Sequence, residues 1–253
     1  MFSEIPQSQF IAALEETIRE LLLAGKIAGP PIDAFRVAAA NGVVVALDEG
    51  QSGRARYVRL ACRPGEPRSG RSVCPSILIR PDPRPERQQW AVAHELGEHT
   101  AQAVFARLAI DPADAPVAAR ESVANYLASR LLLPSTWFAA TGQACDWDLQ
   151  VLKQVFRTAS HELIARRMLD FEPPVCISIF DHGRLHFRAT NAIGRPPPPT
   201  AIEADCRRAA HDTGKTATQI GGAFRVRAWP IHEPGWKREV VRLEPAAGTE
   251  WLE

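Results

Sequence analysis

The sequence lacks a strong excess of either charge, an apolar run of membrane-spanning length and the paired cysteines of a disulfide scaffold. Its 30 lysines and arginines nearly balance 29 aspartates and glutamates. That balance argues against a protein built mainly to bind nucleic acid or a membrane surface. A membrane-spanning helix needs about 20 consecutive apolar residues, and the N-terminal stretch has no basic and apolar signal pattern. We therefore predict a cytoplasmic protein without membrane contact.

The cysteines are few, odd in number and without a close C-x-x-C pair. They are Cys62, Cys74, Cys145, Cys176 and Cys206. This spacing excludes a zinc ribbon and favours buried thiols in a reducing compartment over disulfides. The 45% hydrophobic composition instead permits a sizeable core in one large domain or two small ones.

Residues 91–100 read Ala-Val-Ala-His-Glu-Leu-Gly-Glu-His-Thr and form the most informative segment. They lie in the middle of a helix that we predict from about residue 85 to residue 108. Four ionisable side chains in so apolar a helix are costly to bury unless something pairs with them, and a divalent metal would do so. The segment is one residue away from H-E-x-x-H, in which two histidines one turn apart bind zinc and the glutamate activates water.

Two registers of this motif stay open. At about 100° per residue, Glu98 lies only about 40° around the helix from His94, whereas His99 lies about 140° away. His94 and Glu98 can therefore share a metal, with Glu95 as the general base. The run His-Glu-Leu-Gly-Glu-His is also a palindrome, and in the reversed register Glu95 and His99 bind the metal while Glu98 is the base. A plain stripe of solvated charge is the third interpretation.

A second predicted helix, from residue 114 to about 133, carries Glu121 and Asn125 one turn apart. A glutamate-type zincin needs such a pair after H-E-x-x. The acid reaches across as third ligand, and the residue one turn later can hydrogen-bond the first histidine and fix its orientation. Upstream, residues 76–80 form a short apolar strand that we expect to pair in extended form with a peptide substrate.

Two stretches resemble the ImmA/IrrE-type metallopeptidases. The first is Gln88-Gln-Trp-Ala-Val-Ala-His-Glu-Leu-Gly97, and the second is Ala119-Arg-Glu-Ser-Val-Ala-Asn-Tyr-Leu-Ala-Ser-Arg-Leu-Leu-Leu-Pro-Ser-Thr-Trp-Phe138. Residues 31–42 are similar to the family's opening helix and following strand. The resemblance covers residues 30–140 well and residues 146–190 loosely. It implies a metal-dependent endopeptidase, often one that cleaves a DNA-binding repressor in response to stress or to signals from mobile elements.

Carried over to this sequence, the resemblance implies that His94 and Glu121 bind the metal, that Glu95 is the general base and that Asn125 supports His94. The departure is Glu98, which stands where the family has its usual second histidine. A site of one imidazole and two carboxylates neutralises a dication and acidifies its water less. Oxygen-rich ligation also shifts the preference from zinc towards manganese or ferrous iron. We expect one divalent metal ion, zinc or manganese, with iron also compatible.

The predicted fold class is α+β, with a zincin-like metallopeptidase core made of the active-site helix and a small sheet. We predict four parts: an amphipathic N-terminal helix within residues 1–29, the peptidase core over 30–140, a helix-turn-helix-like pair over 146–170, and an α+β region with two hairpins over 173–253. Within the core we expect a buried strand over residues 42–48, and after Pro134 a loop to Asp146. Over residues 50–70 we predict a strand around residues 56–60 and then a basic loop. The five arginines of this stretch could meet phosphate or an acidic partner, but we assign them to a solvated loop.

The rest of the chain carries weaker signals. Arg166 and Arg167 in the helical pair could reach DNA, although the apolar content of that pair suits ordinary packing. His161-Glu-Leu-Ile-Ala165 repeats the start of the metal motif but lacks its second ligand. His161 would contribute only by reaching into the cleft to stabilise an oxyanion. Four C-terminal histidines have no metal-ligand spacing, and we assign them to surface or hairpin positions: His182, His186, His211 and His232.

Two functional hypotheses of different class follow. The first is a metallo-endopeptidase that acts on a protein substrate such as a DNA-binding repressor. The second is a catalytically weak or inactive regulator that keeps the peptidase fold to bind a partner protein or DNA, with Glu98 as the mark of lost chemistry. We favour the first, because joint retention of His94, Glu95, Glu121 and Asn125 is hard to explain in a decaying site.

Overall fold

A computed structural model describes residues 5–61, 73–171 and 173–246, which form eight α-helices and eight strands. The helices are α1 (Gln7–Ala24), α2 (Ala34–Ala40), α3 (Pro85–Arg107), α4 (Val117–Leu132), α5 (Ser135–Ala144), α6 (Leu149–Val155), α7 (His161–Arg167) and α8 (Ala201–Thr213). The strands are β1 (Val44–Leu47), β2 (Ala55–Ala61), β3 (Val73–Ile79), β4 (Cys176–Asp181), β5 (Arg184–Thr190), β6 (Ala217–Gly221), β7 (Phe224–Glu233) and β8 (Trp236–Pro245). None of the described helices combines the length and apolarity that crossing a membrane requires.

The chain divides into two compact units. The first runs to Thr141 and also includes Gln154–Ser160, and the second comprises Gly142–Lys153 and the chain from His161 onwards. The N-terminal helix α1 belongs to the first unit, where Phe10 packs edge-on against Tyr126 of α4 with ring centroids 5.6 Å apart. The mixed α+β class that we predict is confirmed.

The first unit contains a three-stranded sheet with the order β1-β3-β2. The central strand β3 runs parallel to β1 and antiparallel to β2, with Ser76 opposite both Val44 and Val58. Our prediction that residues 76–80 pair with a substrate is therefore wrong, because β3 already has a strand on each side. Strand pairing is a long-range property that an apolar run does not reveal. Among the described strands of this sheet, β2 is the edge strand that packs beside α3.

Two further local predictions are wrong. Strand β1 is an edge strand, and Val44 and Leu47 are exposed rather than buried. Residues 134–146 do not form a loop, because α5 begins directly after Pro134, whose carbonyl accepts a hydrogen bond from the Phe138 amide. Phe138 is fully buried and packs edge-on against Phe156. A proline that ends one helix can also introduce the next, since the first helical turn needs no proline N–H.

The two long helices α3 and α4 pack closely against each other. Pro85 opens α3, Glu86 lies in its positively polarised first turn, and the buried side chains of α3 include Leu96 and Phe105. A Cβ atom built on Gly97 would stand 2.8 Å from the carbonyl oxygen of Ala124 on α4. Only glycine fits this position without a shift of backbone, so Gly97 allows the close approach that brings α4 beside the metal motif.

The second unit is an antiparallel five-stranded sheet with the order β5-β4-β8-β7-β6. Helix α8 covers one face, where Cys206 and Ala210 pack with Val241 and Leu243. Its N-terminus has a capping box, in which the side chains of Thr200 and Glu203 accept hydrogen bonds from each other's backbone amides. Both predicted hairpins are present, and β6 is an additional strand beyond them.

Cysteine chemistry differs in part from our prediction. Cys145, Cys176 and Cys206 are free thiols, and burial raises the pKa of both Cys176 and Cys206 to about 11. Cys74 forms a disulfide bond, so the prediction of thiols alone is wrong for that residue. Cys62 lies outside the described residues. Spacing along the chain does not predict such a bond, because it depends on how far apart two backbone segments lie in the fold.

Candidate metal centre

Three side chains with metal-ligand atoms meet between α3 and α4. His94 and Glu98 lie one turn apart on α3, and Glu121 reaches across from α4. The Nε2 atom of His94 lies 3.5 Å from Oε1 of Glu121 and 3.9 Å from Oε1 of Glu98, and all three ligand atoms lie within 4.8 Å of one another. The two carboxylates are about half exposed. The cluster is therefore open to solvent and has the donors for a divalent cation.

Asn125 orients the imidazole of this cluster. Its Oδ1 lies 3.2 Å from Nδ1 of His94, and its Nδ2 donates to Oε1 of Glu121 at 3.3 Å. Because a side-chain amide oxygen only accepts, this contact favours the histidine tautomer with its proton on Nδ1. The lone pair of Nε2 then points towards the two carboxylates, which is the state a metal needs.

Glu95 occupies a different environment from the three clustered residues. Its side chain is buried, and its carboxylate accepts a hydrogen bond from the backbone N–H of Tyr57 on β2. Burial raises the pKa of Glu95, and the negative charge of Glu98 raises it further. A carboxylate held in this way binds a proton more readily than an exposed one, which suits a general base.

His99 points to another part of the unit. Its ring stacks on the ring of Tyr57 with centroids 4.8 Å apart. Burial lowers the pKa of His99, and the positive charge of Arg59 lowers it further, so both favour the neutral imidazole. Across residues 5–61, 73–171 and 173–246, no ligand cluster includes His99. The described residues therefore provide no ligand cluster for the reversed register, in which Glu95 and His99 bind the metal.

The predicted residues of the helical pair lie in the second unit. His161 opens α7 and is not part of the His94 cluster. Arg167 is buried, forms an ion pair with Asp170 and stacks over the ring of Phe171. Arg167 is therefore packed within its own unit and is not exposed for contact with DNA, which is the less favoured of the two interpretations of this pair. Arg166 lies 2.7 Å from Glu162 and 3.9 Å above the Phe187 ring, so its guanidinium is also held by its own unit.

A cavity of about 440 Å³ lies along the N-terminal half of α3, one turn before His94. Its lining includes Ala91, Gln88 and the arginines Arg54, Arg80 and Arg87. Among the described lining residues Asp82 is the one carboxylate, and it lies 3.4 Å from Arg87. The cavity is therefore basic. From the sequence we assign Arg54 to a solvated loop, because nothing in the sequence shows that residues 52–54 line a cavity together with α3.

The comparisons with known proteins agree with this geometry. Residues 42–169 match the family model described as the IrrE N-terminal-like domain of peptidase family M78. The match spans half of the chain and contains both helices of the cluster. The chain belongs to this family. The resemblance to ImmA/IrrE-type metallopeptidases that the sequence indicates is confirmed, and the domain is consistent with the zincin-like core that we predict.

A solved structure with a similar fold is a Mycobacterium tuberculosis transcriptional regulator. The two chains superpose with a TM-score of 0.63 at 16% sequence identity, over 91% of this chain and 74% of that one. So low an identity shows a shared fold and no more. A comparison with curated protein sequences finds no match.

Proposed function

We propose that this IrrE-type protein is a metal-dependent endopeptidase that cleaves a regulatory, repressor-like protein. The observation that carries the proposal is the meeting of His94, Glu98 and Glu121 in a peptidase fold, with Asn125 holding His94 in the tautomer that ligation requires. A repressor-like substrate would place the protein in the cytoplasm and in transcription regulation under stress.

The donor set fits a divalent ion. One imidazole and two carboxylates neutralise a dication, and the two exposed glutamates leave room for exchangeable positions. Zinc accepts this set, and the high share of oxygen also suits manganese and ferrous iron. The match between ligands and metal class supports one resident ion at this site.

In hydrolysis, different residues of the chain transfer the proton and hold the reacting groups in position. A bound divalent metal would supply polarisation of the scissile carbonyl and make water more acidic. Glu95 takes the proton from the attacking water and delivers it to the leaving amine, for which its raised pKa is suited. Asn125 keeps His94 oriented throughout, and the Tyr57 backbone N–H holds Glu95 in place.

Substrate binding follows from the strand beside this helix. Through Tyr57, strand β2 contacts Glu95 directly, so a peptide that extends the sheet along β2 would pass the general base. Main-chain pairing tolerates many sequences. The basic cavity next to His94 adds a preference, because Arg54 and Arg80 would attract an acidic side chain of the substrate.

A second candidate is a regulator without peptidase activity. Glu98 in place of the usual histidine favours it, since an additional anion makes the metal a weaker Lewis acid. The similar solved structure is called a transcriptional regulator, which is compatible with either role. Such a protein would use the same fold to bind a partner protein or DNA.

Metal analysis of the protein purified without chelator tests the proposal. We expect Glu121→Ala, His94→Gln and Glu98→Gln each to lose one equivalent of zinc, manganese or iron relative to the unaltered chain. His99→Gln is the matched control, because it removes a neighbouring imidazole outside the cluster and should lose none. Loss in His99→Gln with retention in His94→Gln would establish the reversed register instead.

Cleavage separates the two candidates. The metal-loaded chain is incubated with a proteome-derived peptide library, and the products are identified by mass spectrometry. New termini that are absent with Glu95→Gln support the endopeptidase. Identical product lists for both proteins, each with its metal bound, would overturn the endopeptidase and leave the regulator.

A further inference from the structure

A second cluster of metal-ligand side chains lies in the second unit, on the face of the five-stranded sheet that α8 covers. It consists of His211 on α8, His232 on β7 and Glu239 on β8, whose ligand atoms lie within 4.8 Å of one another. We propose that these three residues form a second divalent metal site, of the type that binds zinc. The proposal does not rest on the peptidase function.

The geometry of the cluster is set by three separate elements. In the β7–β8 hairpin, His232 lies opposite Lys237 and Glu239 lies opposite Pro230, so His232 and Glu239 are diagonal neighbours on one face. His211 reaches the same face from the last turn of α8. Nδ1 of His211 and Nε2 of His232 lie 2.7 and 2.9 Å from the same oxygen, Oε1 of Glu239.

The buried carboxylate is the second observation that points to a ligand. Glu239 is completely buried, yet its Oε2 has no hydrogen bond within the described part of the chain. Nη1 of Arg207 lies 3.6 Å from Oε2, which is an ion pair without a hydrogen bond. Burying a carboxylate is costly unless both oxygens are satisfied, and a metal that replaces the two imidazole contacts at Oε1 and also binds Oε2 would use this capacity.

The ligand set indicates the class of metal. Two imidazoles and one carboxylate are the three protein ligands of an open zinc site, in which a fourth position stays free for water or another small ligand. The first cluster has one imidazole and two carboxylates, so the second should prefer zinc, cobalt or nickel more strongly over manganese. His211 is partly exposed, with 39% of its side-chain surface accessible, and gives the ion a route from solvent.

Lys237 opposes metal binding and thereby provides a specific test. Its Nζ lies 3.3 Å from Nδ1 of His232 and can only donate, so it favours the tautomer whose proton is on Nε2. Ligation through Nε2 requires the other tautomer, and Lys237 must then turn away. Because Lys237 is exposed, it can do so. Removing its charge should therefore strengthen metal binding, whereas a merely structural ion network would be weakened or unaffected.

Cobalt(II) titration of the full-length chain tests the site, with visible absorption as readout. We use Glu121→Ala as background so that the first cluster does not contribute. We expect one equivalent of cobalt with low-symmetry visible bands, and displacement of these bands by zinc. His211→Gln and His232→Gln should each weaken binding at least tenfold. His186→Gln, which removes a half-exposed imidazole of the same unit, should leave it unchanged.

Lys237→Gln should have the opposite effect on cobalt binding and increase the affinity severalfold. Circular dichroism checks that each variant is folded. If His232→Gln does not fold, the affinity of His211→Gln for cobalt tests the proposal alone. Absence of cobalt binding, or binding that His211→Gln leaves unchanged, would overturn the proposal. Loss of the first cluster's metal is measured separately, in the unaltered chain against Glu121→Ala, so failure at either site is distinguishable from failure at the other.

Discussion

Gly97 of α3 lies directly against the backbone of Ala124 on α4. This contact sets the separation of the two helices, and with it the distances between the side chains of the candidate metal cluster. A Cβ on Gly97 would stand 2.8 Å from the Ala124 carbonyl oxygen and 3.1 Å from its Cα. Because the obstacle is backbone, the two helices would have to separate. Glu121 and Asn125 lie on the same helix as Ala124, so their distances to His94 depend on a residue that carries no chemistry of its own.

Gly97→Ala should therefore destabilise the protein and weaken metal binding together. Alanine favours a helix over glycine by about 1 kcal/mol, but overpacking against backbone costs about 1–3 kcal/mol, so we expect a net loss of stability. Urea unfolding of the metal-free chain measures the first effect, and metal competition measures the second. A variant that is more stable, as helix propensity alone predicts, would show that α3 and α4 do not approach so closely.

Asn125→Ala should weaken metal binding about 10- to 100-fold although it removes no ligand, because the imidazole of His94 loses the acceptor that fixes its tautomer. Asn125→Asp keeps an acceptor at the same place and should retain most of the affinity. Ser122→Ala is the matched control, since Ser122 is exposed on the same helix and its hydroxyl donates to the Ala118 carbonyl of that helix. If Asn125→Ala and the control bind the metal with equal affinity, Asn125 does not support the metal site.

Much of the first cluster could be predicted because its information is local. His94, Glu95 and Glu98 lie within two turns of one helix, and a period of 3.6 residues determines which of them share a face. The pairing of Glu121 and Asn125 with His94 came from the order of motifs that the family shares. Periodicity alone does not give the distance between two helices, and the Gly97–Ala124 contact that sets it has no signature in sequence.

The second cluster could not be predicted, since its members follow one another at intervals of 21 and 7 residues, which correspond to no helical or loop spacing of metal ligands. The hairpin register places His232 diagonally from Glu239, and the docking of α8 adds His211. Both are long-range results of packing. The same reason explains the error at β3, whose central position depends on partners that precede it in the chain.

Glu95→Gln should abolish peptide cleavage and yet stabilise the metal-free protein. Burial raises the pKa of Glu95 in the folded state, so the folded chain binds a proton more tightly than the unfolded chain. Stability from this group is fully present below the unfolded pKa of about 4.3 and is lost as the pH rises from there through the higher folded pKa. The variant should have the higher Tm in EDTA at pH 7–8, and the difference should disappear below about pH 4. Parallel Tm curves across this range would show that the Glu95 carboxylate is not strained by burial.

Arg80→Glu should slow the cleavage of acidic peptides while leaving neutral peptides unaffected. Arg54 and Arg80 are exposed arginines in the cavity beside the cluster, whereas Arg87 is partly neutralised by Asp82. Exposed charge pairs contribute up to about 1 kcal/mol each, so kcat/KM for a peptide with acidic residues should fall by up to about fivefold.

The matched control for that change is Arg36→Glu, an exposed arginine on α2 that alters the net charge by the same amount away from the cavity. Salt gives an independent measure, because the Debye length falls from about 10 Å at 0.1 M to about 3 Å at 1 M. The preference for acidic peptides should shrink with salt in the unaltered chain and be absent at every salt concentration in Arg80→Glu. If Arg36→Glu slows acidic peptides equally, the effect comes from overall charge, and the cavity next to His94 does not select the substrate.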